Sequence, residues 1–459
     1  MFDFTVPPFQ RSNLGLAYCI HKNLENAKNA FNNYIKYNKK SWEINILSKR
    51  IIAWISNTKI TYENSEEDYK NKFNIIIQKQ VNHLINEVEK SKLVTDKVSC
   101  CAAIILAGIS LNEKEKYLNF GFLLLKKIIN TSFDNENFPK TRNIQQLIFF
   151  LKYFILIREW LKESQTEIPE YLDEVIFYLG RSYSVLCQGN EKNFLFNGNH
   201  DFSSKEFDQY LFEHGYKFKN DIHETGGYIV FKNKKINLIM DVGSSPEKKF
   251  SKDYQSGALS FEIISNKKKL ICNSGYFRKN KHKLNEISKS TANHSTLIID
   301  NHSSCIINKS KDEIETGLKI LNKKYLFEKD YWNIKVSHDG YYKRYGIIHE
   351  RQIEFFPGKN KFIGKDKLIK KKKFKSSSFE IRFHLIPGTK IMKTIDEKSI
   401  LIDIEDEGWK FSSDGHNIDI ETGLYFGKKN SYAENQNLFI SGITRQDEQT
   451  ITWVFEKIT

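Results

Sequence analysis

The stretch Tyr254–Ser304 reads YQSGALSFEIISNKKKLICNSGYFRKNKHKLNEISKSTANHSTLIIDNHSS, and its pattern decides the fold of the second half of the chain. Apolar Leu259, Phe261 and Ile263 alternate in it with a serine and a glutamate. An apolar residue at every second position is typical of a strand that is buried on one face. The polar segment SNKKK follows as a turn, and a second apolar run leads to Asn-Ser-Gly. The stretch therefore predicts half-buried strands that are joined by short turns.

The same two-residue period recurs toward the C-terminus. Phe379, Ile381, Phe383 and Leu385 alternate with polar or charged residues. Similar runs follow, with turns rich in Gly, Asn, Asp and Lys between them, and no long helical pattern interrupts them. We therefore predict a large antiparallel β-sandwich over residues 222–459.

The first half of the chain shows a helical period instead. Apolar residues recur there at steps of three and four in segments that begin near Glu66, after Asn143 and after Pro169. Short polar turns connect these segments, so successive helices should be antiparallel neighbours, as in a bundle or an α/α toroid. The prediction is a chain of α-then-β order, with an incomplete α/α toroid over residues 1–205 and a boundary at 205–222.

Composition and charge favour a folded chain and limit the classes of partner that it is expected to bind. A length of 459 residues suggests two or three domains, and a hydrophobic fraction of 40% is enough to form a core. The net charge of +15 fits a polyanionic partner such as an acidic glycan, but it also fits a lysine-rich composition without any such role. No motif of a nucleic-acid-binding module is present, so nucleic acid is not an expected partner.

The cysteines and the N-terminus bear on the compartment. The six cysteines form neither a CxxC pair nor a zinc-binding pattern, and Cys100 and Cys101 in an apolar helical run should be buried free thiols. No run of about 18 apolar residues could span a membrane. The first residues lack the basic and then apolar segments of a signal peptide, which indicates a cytoplasmic protein if this N-terminus is complete.

Short motifs in the quoted stretch resemble the C-terminal domain of heparinase II/III-like proteins. Their order and spacing agree with that family, and further pieces follow in family order. The N-terminal helices resemble the family's α/α toroid only through two short strings. The motifs are LSFE (259–262), NSG (273–275), NHST (293–296), HDGY (338–341), HER (349–351), RFH (382–384) and PG (387–388), and the two strings are TRN (141–143) and FNG (196–198).

This resemblance implies a polysaccharide lyase that cleaves a uronate-containing acidic glycan by β-elimination, in a cleft between toroid and sandwich. The reaction needs a group that neutralises the uronate carboxylate, a base that takes the C5 proton, and an acid that protonates the leaving O4. No cofactor is expected. The resemblance also implies action in the cell envelope or periplasm. Full-length relatives carry more helices, so this chain is expected to be shortened at its N-terminus.

The resemblance also implies candidate site residues, and each has a structural alternative. Asn199 and His200 also fit an Asn-Gly turn after a helix, and Arg142 also fits a helix start. Strand alternation places His349 and Arg351 on one face, which also fits an ion pair on the surface of a sheet. The catalytic candidates are His294, Asn199 and His200, and the substrate-binding candidates are Arg142, Asn143, Tyr341, His349 and Arg351.

A zinc site is where this chain departs from the family pattern. Some members hold zinc with His, Asp and His, and the matching positions here carry Gln255, Asn273 and His294. Neutral amides are poor zinc ligands, so no metal is expected. The three side chains are nevertheless expected to converge and to satisfy one another by hydrogen bonds. A nearby position that holds a catalytic histidine in some relatives carries Asp253 in this chain.

Two other functions stay open at this point. A non-catalytic glycan-binding or cell-envelope protein would keep the fold and lose the reaction. An α/α-toroid glycoside hydrolase would need two carboxylates about 5–10 Å apart in a cleft, and the helical half offers no convincing pair. The sequence leaves the glycan, its linkage and the oligomeric state open.

Overall fold

The fold follows the order that the two hydrophobic periods predict, with helices first and antiparallel strands after them. The first 41 residues, which include Cys19 and the segment where a signal peptide would lie, fall outside the described part of the chain. The computed structural model describes residues 42–111, 114–190, 192–279, 282–372 and 375–458.

The helices include all three that the apolar stripes predict, namely α3, α6 and α7 below. None of the helices in the described residues is long and apolar enough to cross a membrane. The helices are α1 (Ile44–Ser56), α2 (Thr58–Thr61), α3 (Glu67–Glu87), α4 (Val94–Ser110), α5 (Lys114–Ser132), α6 (Ile144–Glu163), α7 (Glu170–Leu186), α8 (Lys205–Glu213), α9 (Lys283–Lys289) and α10 (Tyr342–Tyr345), with short 3-10 turns at Val88–Lys90, Lys248–Phe250, Thr291–Asn293 and Pro357–Lys359.

One compact unit, Met1–Asn137 with Gln146–Leu179, is built around α4. The residues of α4 from Val98 to Gly108 are all buried. A helix that is apolar on every side must be surrounded, and α1, α3 and α5 all pack against it. Cys100 and Cys101 are buried free thiols, as predicted, and burial raises the pKa of the Cys100 thiol to about 12.

The second compact unit, Phe138–Gln145 with Gly180–Thr459, contains the strands. All pairings between these strands are antiparallel. The strands are β1 (Glu224–Thr225), β2 (Tyr228–Lys232), β3 (Ile236–Asp241), β4 (Phe261–Ser265), β5 (Lys268–Ile271), β6 (Leu297–Ile299), β7 (Ile306–Asn308), β8 (Glu313–Thr316), β9 (Ile320–Phe327), β10 (Trp332–His338), β11 (Ile347–Phe356), β12 (Lys361–Lys370), β13 (Ser378–His384), β14 (Lys390–Lys393), β15 (Ser399–Ile404), β16 (Glu407–Ser413), β17 (Ile418–Tyr425), β18 (Ala433–Ile443) and β19 (Glu448–Lys457).

These strands form three main sheets that share one apolar core. Within the described residues, the sheet orders are β1-β2-β3-β4-β5, β14-β15-β16-β19-β12-β11-β10-β9 and β17-β18-β13-β6, while β7 and β8 form a separate hairpin. β11 buries every second residue, as a half-buried strand should. β4 departs from the prediction because all of its residues are buried, including Glu262, whose carboxylate pairs with the buried Lys269 at 3.4 Å.

A polar network is buried inside the sandwich around the carboxylate of Asp366. This carboxylate accepts hydrogen bonds from His349 Nε2 (2.6 Å), Arg351 Nε (2.7 Å) and Nη2 (3.0 Å), and Trp453 Nε1 (2.8 Å). His338 extends the network, with its Nε2 3.1 Å from His349 Nδ1. Burial alone would raise the pKa of Asp366, but Arg351 and His349 bring it well below its usual range.

Three of the substrate-binding candidates lie inside the sandwich. Arg351 also donates through Nη1 to the carbonyls of Leu259 (2.9 Å) and Ser295 (2.8 Å), and Tyr341 donates its hydroxyl to a backbone carbonyl at 2.9 Å. Tyr341, His349 and Arg351 are each at most 1% exposed. Each of these three side chains has its hydrogen-bond partners inside the sandwich, and the ion pair lies in the core rather than on the sheet surface.

We expect Asp366→Asn to destabilise the protein by about 3–5 kcal/mol, because it leaves the buried Arg351 guanidinium without its counter-charge. Urea unfolding at neutral pH measures this change. Asp403→Asn on the exposed side of β15 is the matched control and should change the midpoint little. An unchanged midpoint for Asp366→Asn would show that the network does not hold the sandwich together.

Candidate functional site

Gln255, Asn273 and His294, the three residues predicted to converge, lie in one buried neighbourhood. Gly257 packs so tightly on the His294 ring that a Cβ there would lie 2.5 Å from Cδ2. Asn273 Oδ1 accepts a hydrogen bond from the backbone N–H of Ser295 at 3.0 Å. The segments that carry Gln255, Asn273 and His294 are therefore neighbours in space.

The hydrogen bonds of the two amides differ from the expected pattern. Gln255 Nε2 donates to the carbonyls of Gly275 (2.9 Å) and Ser288 (2.6 Å), and its Oε1 accepts from the Gly198 N–H (3.0 Å). Asn273 Nδ2 donates to the Glu262 carboxylate. Each amide thus holds other parts of the chain, whereas the sequence predicted that the three side chains would bond to one another.

His294 is held on one side of its ring only. Its Nδ1 lies 2.9 Å from the Ser290 carbonyl, which makes Nδ1 the protonated nitrogen. Its Nε2 is buried, and no described residue forms a hydrogen bond with it. Burial lowers the pKa of His294 to about 4, against the effect of the bond to Ser290, so the ring is neutral at pH 7.

The donor set of this neighbourhood does not fit zinc. Zinc sites use four ligands drawn from Cys, His and carboxylate. The oxygens of Gln255 and Asn273 already accept backbone N–H groups, which leaves His294 Nε2 as a single ligand atom among the three. Across the described residues, no group of three or more His, Cys, Asp or Glu side chains could hold a metal ion.

Arg142 and Asn143 serve the fold in this structure. All five N–H donors of Arg142 are used, four on backbone carbonyls and one on the Asp241 carboxylate at 2.6 Å. Burial acts to lower the pKa of Arg142, but Asp241 more than offsets it, so the guanidinium stays charged. Asn143 is fully buried, and its Oδ1 accepts the Gln145 N–H at 2.9 Å at the start of α6. Arg142 therefore leaves no donor for a substrate.

The segment FNGNH forms the turn that was the structural alternative for Asn199 and His200. Asn197 and Gly198 both have positive φ, at 45° and 84°. Asn199 is fully buried, and its amide donates to the Phe194 carbonyl. His200 alone of this pair is partly exposed. The turn therefore carries His200 toward solvent and keeps Asn199 inside.

His200 belongs to a partly exposed polar group, which we call the His200 cluster: Gln145, His200, Asp253, Arg278 and Lys429. The Gln145 amide nitrogen lies 2.8 Å from Nδ1 and 3.2 Å from Nε2 of His200. Arg278 Nη2 lies 3.6 Å from the Asp253 carboxylate and 3.4 Å from the carbonyl of Gly198, which precedes His200 by two residues. Gln145 and Arg278 therefore contact the turn directly, at His200 and at Gly198, and Asp253 is joined to it through Arg278. Lys429 is the member of the cluster for which the described residues show no such direct contact.

The charges of the His200 cluster favour a neutral imidazole. Burial lowers the pKa of His200, and the cations Arg278 and Lys429 lower it further, while Asp201 acts in the opposite direction. The side chain of Arg278 is 40% exposed, and Lys429 is exposed. A neutral base beside two accessible cations can remove a proton next to a bound carboxylate.

Arg278 and Lys429 were not singled out from the sequence. Arg278 follows the NSG motif by three residues, and Lys429 lies in the turn between β17 and β18, far away in the chain. No spacing rule connects them with His200. The only available signal was Asp253, at the position where some relatives carry a catalytic histidine.

Comparison with known proteins relates this geometry to a family. The model of the heparinase II/III-like C-terminal domain matches residues 223–454, about half of the chain. A heparinase III structure is 16% identical over 97% of this chain and 77% of that chain, with a TM-score of 0.79. The heparan sulfate lyase HepC from Pedobacter heparinus is 13% identical over 98% of this chain and 75% of that chain, with a TM-score of 0.75.

At these identities the likeness shows a common fold, a helical toroid followed by an antiparallel β-sandwich, and confirms the predicted fold class. A second heparinase III structure agrees, with 15% identity over 96% of this chain and 75% of that chain, and a TM-score of 0.76. No curated protein sequence matches the chain.

We expect the purified protein to contain zinc well below one equivalent, because the two amide oxygens are committed to backbone N–H groups. Elemental analysis of protein purified without chelator measures this. Stoichiometric zinc that disappears in His294→Ala would contradict the expectation.

We expect the free energy of unfolding to decrease as the pH falls from 6.5 toward 4, partly because of His294. The unfolded histidine takes up a proton near pH 6.5, whereas the buried ring does so only near pH 4. The contribution of His294 to the free energy of unfolding is complete above pH 6.5, and at pH 5 it is smaller by about 2 kcal/mol. Urea unfolding of His294→Gln at both pH values should show a correspondingly smaller decrease. His214→Gln, at an exposed histidine, is the control.

Proposed function

We propose that this chain, which belongs to the heparinase II/III-like family, cleaves a uronate-containing acidic glycan by β-elimination. Its fold is of the polysaccharide-lyase kind, and the proposal adds the substrate class and the reaction. The observation that carries the proposal is the neutral His200 beside the cations Arg278 and Lys429. These groups match the base and the charge-neutralising groups that the elimination needs.

Arg278 is the group that we assign to the uronate carboxylate. Among the described residues, its polar contacts all involve Nη2, which lies 3.6 Å from the Asp253 carboxylate and 3.4 Å from the Gly198 carbonyl. Its other N–H donors are available to form a two-point contact with a carboxylate. Pairing with a guanidinium stabilises the carbanion-like charge that develops when the C5 proton leaves. Lys429 contributes a second positive charge near His200, which also lowers the pKa of that ring.

His200 is the group that we assign to proton transfer, and the Gln145 amide lies against its ring. With the amide turned so that its oxygen accepts the Nδ1 proton, Nε2 of the neutral ring is free to take a proton. The neutral imidazole takes the proton from C5, the C5–H electron pair forms the C4=C5 double bond, and the bond from C4 to O4 breaks. The imidazolium then returns its proton to the leaving oxygen, so no other acid is required. The products are an unsaturated uronate and a free hydroxyl group.

A non-catalytic glycan-binding protein is the second candidate function. Its support is that most of the residues implied by the family resemblance are buried in this chain, including Arg142, Asn199 and His294. Such a protein would use the cations Arg278 and Lys429 to bind the glycan without cleaving it. The two functions differ in one product, because only elimination leaves a double bond that absorbs in the near ultraviolet.

We expect the full chain to release this unsaturated product from at least one polysaccharide in a panel that covers uronate-containing and neutral glycans. His200→Ala should decrease the rate by about 10²–10⁴-fold, since it removes the base. Arg278→Ala should decrease it by about 10²–10³-fold, since it removes the charge that stabilises the transition state. His214→Ala and Arg445→Ala, at exposed positions elsewhere, are the matched controls.

The pH profile separates this role of His200 from a purely structural one. The acid limb of kcat/KM should lie below the ordinary histidine pKa of about 6.5, because burial and two cations lower the pKa of His200. Arg278→Ala should move that limb to higher pH. Glycan binding without unsaturated product from any member of the panel would support the second candidate function instead.

A further inference from the structure

A pocket of about 650 Å³ lies beside the β7–β8 hairpin, apart from the residues of the His200 cluster. Its wall comes from α9, the loop before β7 and the turn between β7 and β8. We call it the hairpin pocket. The residues that line it and matter for its chemistry are Lys252, Ser256, Lys289, Lys309, Lys311 and Asp312.

The charge of the hairpin pocket is positive. Two of its four lysines are paired, Lys289 with Asp312 and Lys309 with Glu286. Lys252 and Lys311 are exposed and form no ion pair with any described residue. Those two ammonium groups give the pocket an excess of positive charge, which favours an anionic ligand.

Ser256 provides a second and independent observation. Its backbone is held firmly, since its N–H donates to the Lys289 carbonyl (2.9 Å) and its carbonyl accepts the hydroxyls of Thr291 (2.6 Å) and Ser304 (3.2 Å). Its own hydroxyl is buried and has no hydrogen-bond partner among the described residues. A buried hydroxyl with an unmet hydrogen bond needs an explanation, and a ligand oxygen in the pocket would provide one.

The hairpin pocket lies next to the proposed reactive site. The ring of Tyr276 has the Lys289 ammonium 5.8 Å from its centroid and the Arg278 guanidinium 6.0 Å from it. Lys252 also precedes Asp253 of the His200 cluster directly in the chain. A glycan held at Arg278 would therefore have the pocket beside it.

We infer that the hairpin pocket binds the anionic group of a saccharide unit adjacent to the one that reacts. Lys252 and Lys311 attract the carboxylate or sulfate of that unit, and the Ser256 hydroxyl donates a hydrogen bond to one of its oxygens. The inference takes one element from the proposed function, namely that the anionic group belongs to a saccharide.

Ligand-observed NMR titration of the full chain tests the hairpin pocket without turnover. The probes are D-glucuronate, glucose 6-sulfate, D-glucose and inorganic sulfate. We expect the two acidic sugars to bind and glucose not to bind. Lys252→Gln with Lys311→Gln should weaken the binding by about tenfold or more, and Ser256→Ala should weaken it as well. Lys390→Gln with Lys410→Gln, at exposed positions in other strands, is the control.

The outcomes separate this inference from the proposed function. Arg278→Ala, which removes the proposed carboxylate contact at the reactive site, should keep the binding in the pocket. In that background Lys252→Gln with Lys311→Gln should still weaken the binding, so a failed elimination assay leaves the pocket result intact. Equal binding in wild type and the lysine double variant would overturn the inference. Binding of inorganic sulfate as tight as that of glucose 6-sulfate would overturn the saccharide part of it, and so would binding of glucose as tight as that of glucuronate.

Discussion

The bidentate pair between Arg351 and Asp366 is the interaction on which the sandwich depends. Its guanidinium joins β11 to β12 and also holds the carbonyls of Leu259 and Ser295, which lie next to β4 and β6 in two other sheets. Both charges are fully buried, so neither tolerates losing the other. A slip of one residue in β11 would expose Arg351 and bury Glu350, so this pair also specifies the strand register.

The order and type of the elements could be predicted from the sequence, because burial on one face leaves a period in the hydrophobic pattern. That logic places apolar residues inside and polar ones outside, so it fails where a polar residue finds its partners in the interior. The Glu262 carboxylate pairs with the Lys269 ammonium and accepts the backbone N–H groups of Leu195 and Asn273. Only the folded chain brings these groups together. For His349 and Arg351, alternation gave the correct common face and could not tell that this face is the core.

The sequence predicted which segments form the candidate site, but not which side chains act in it or what they contact. The short motifs indicate which segments meet, and the segments that carry Gln255, Asn273 and His294 are neighbours. Their chemistry depends on hydrogen bonds to backbone groups, which no residue pattern specifies. His200 is accessible because of the turn before it, and its cations come from two distant loops through Arg278 and Lys429. Contacts of this kind arise only from tertiary structure, so the sequence supported several interpretations equally.

The two buried amides also bear on how this chain can evolve. The Gln255 side chain forms hydrogen bonds to Gly198, Gly275 and Ser288, and the Asn273 side chain forms hydrogen bonds to Ser295 and Glu262. A change to histidine or aspartate at either position gives up these bonds at once, whereas a metal could bind only after both changes. Each single substitution toward a metal-binding set is therefore destabilising on its own. A set of zinc ligands at these positions can therefore not be reached from this chain by single substitutions that each keep these hydrogen bonds.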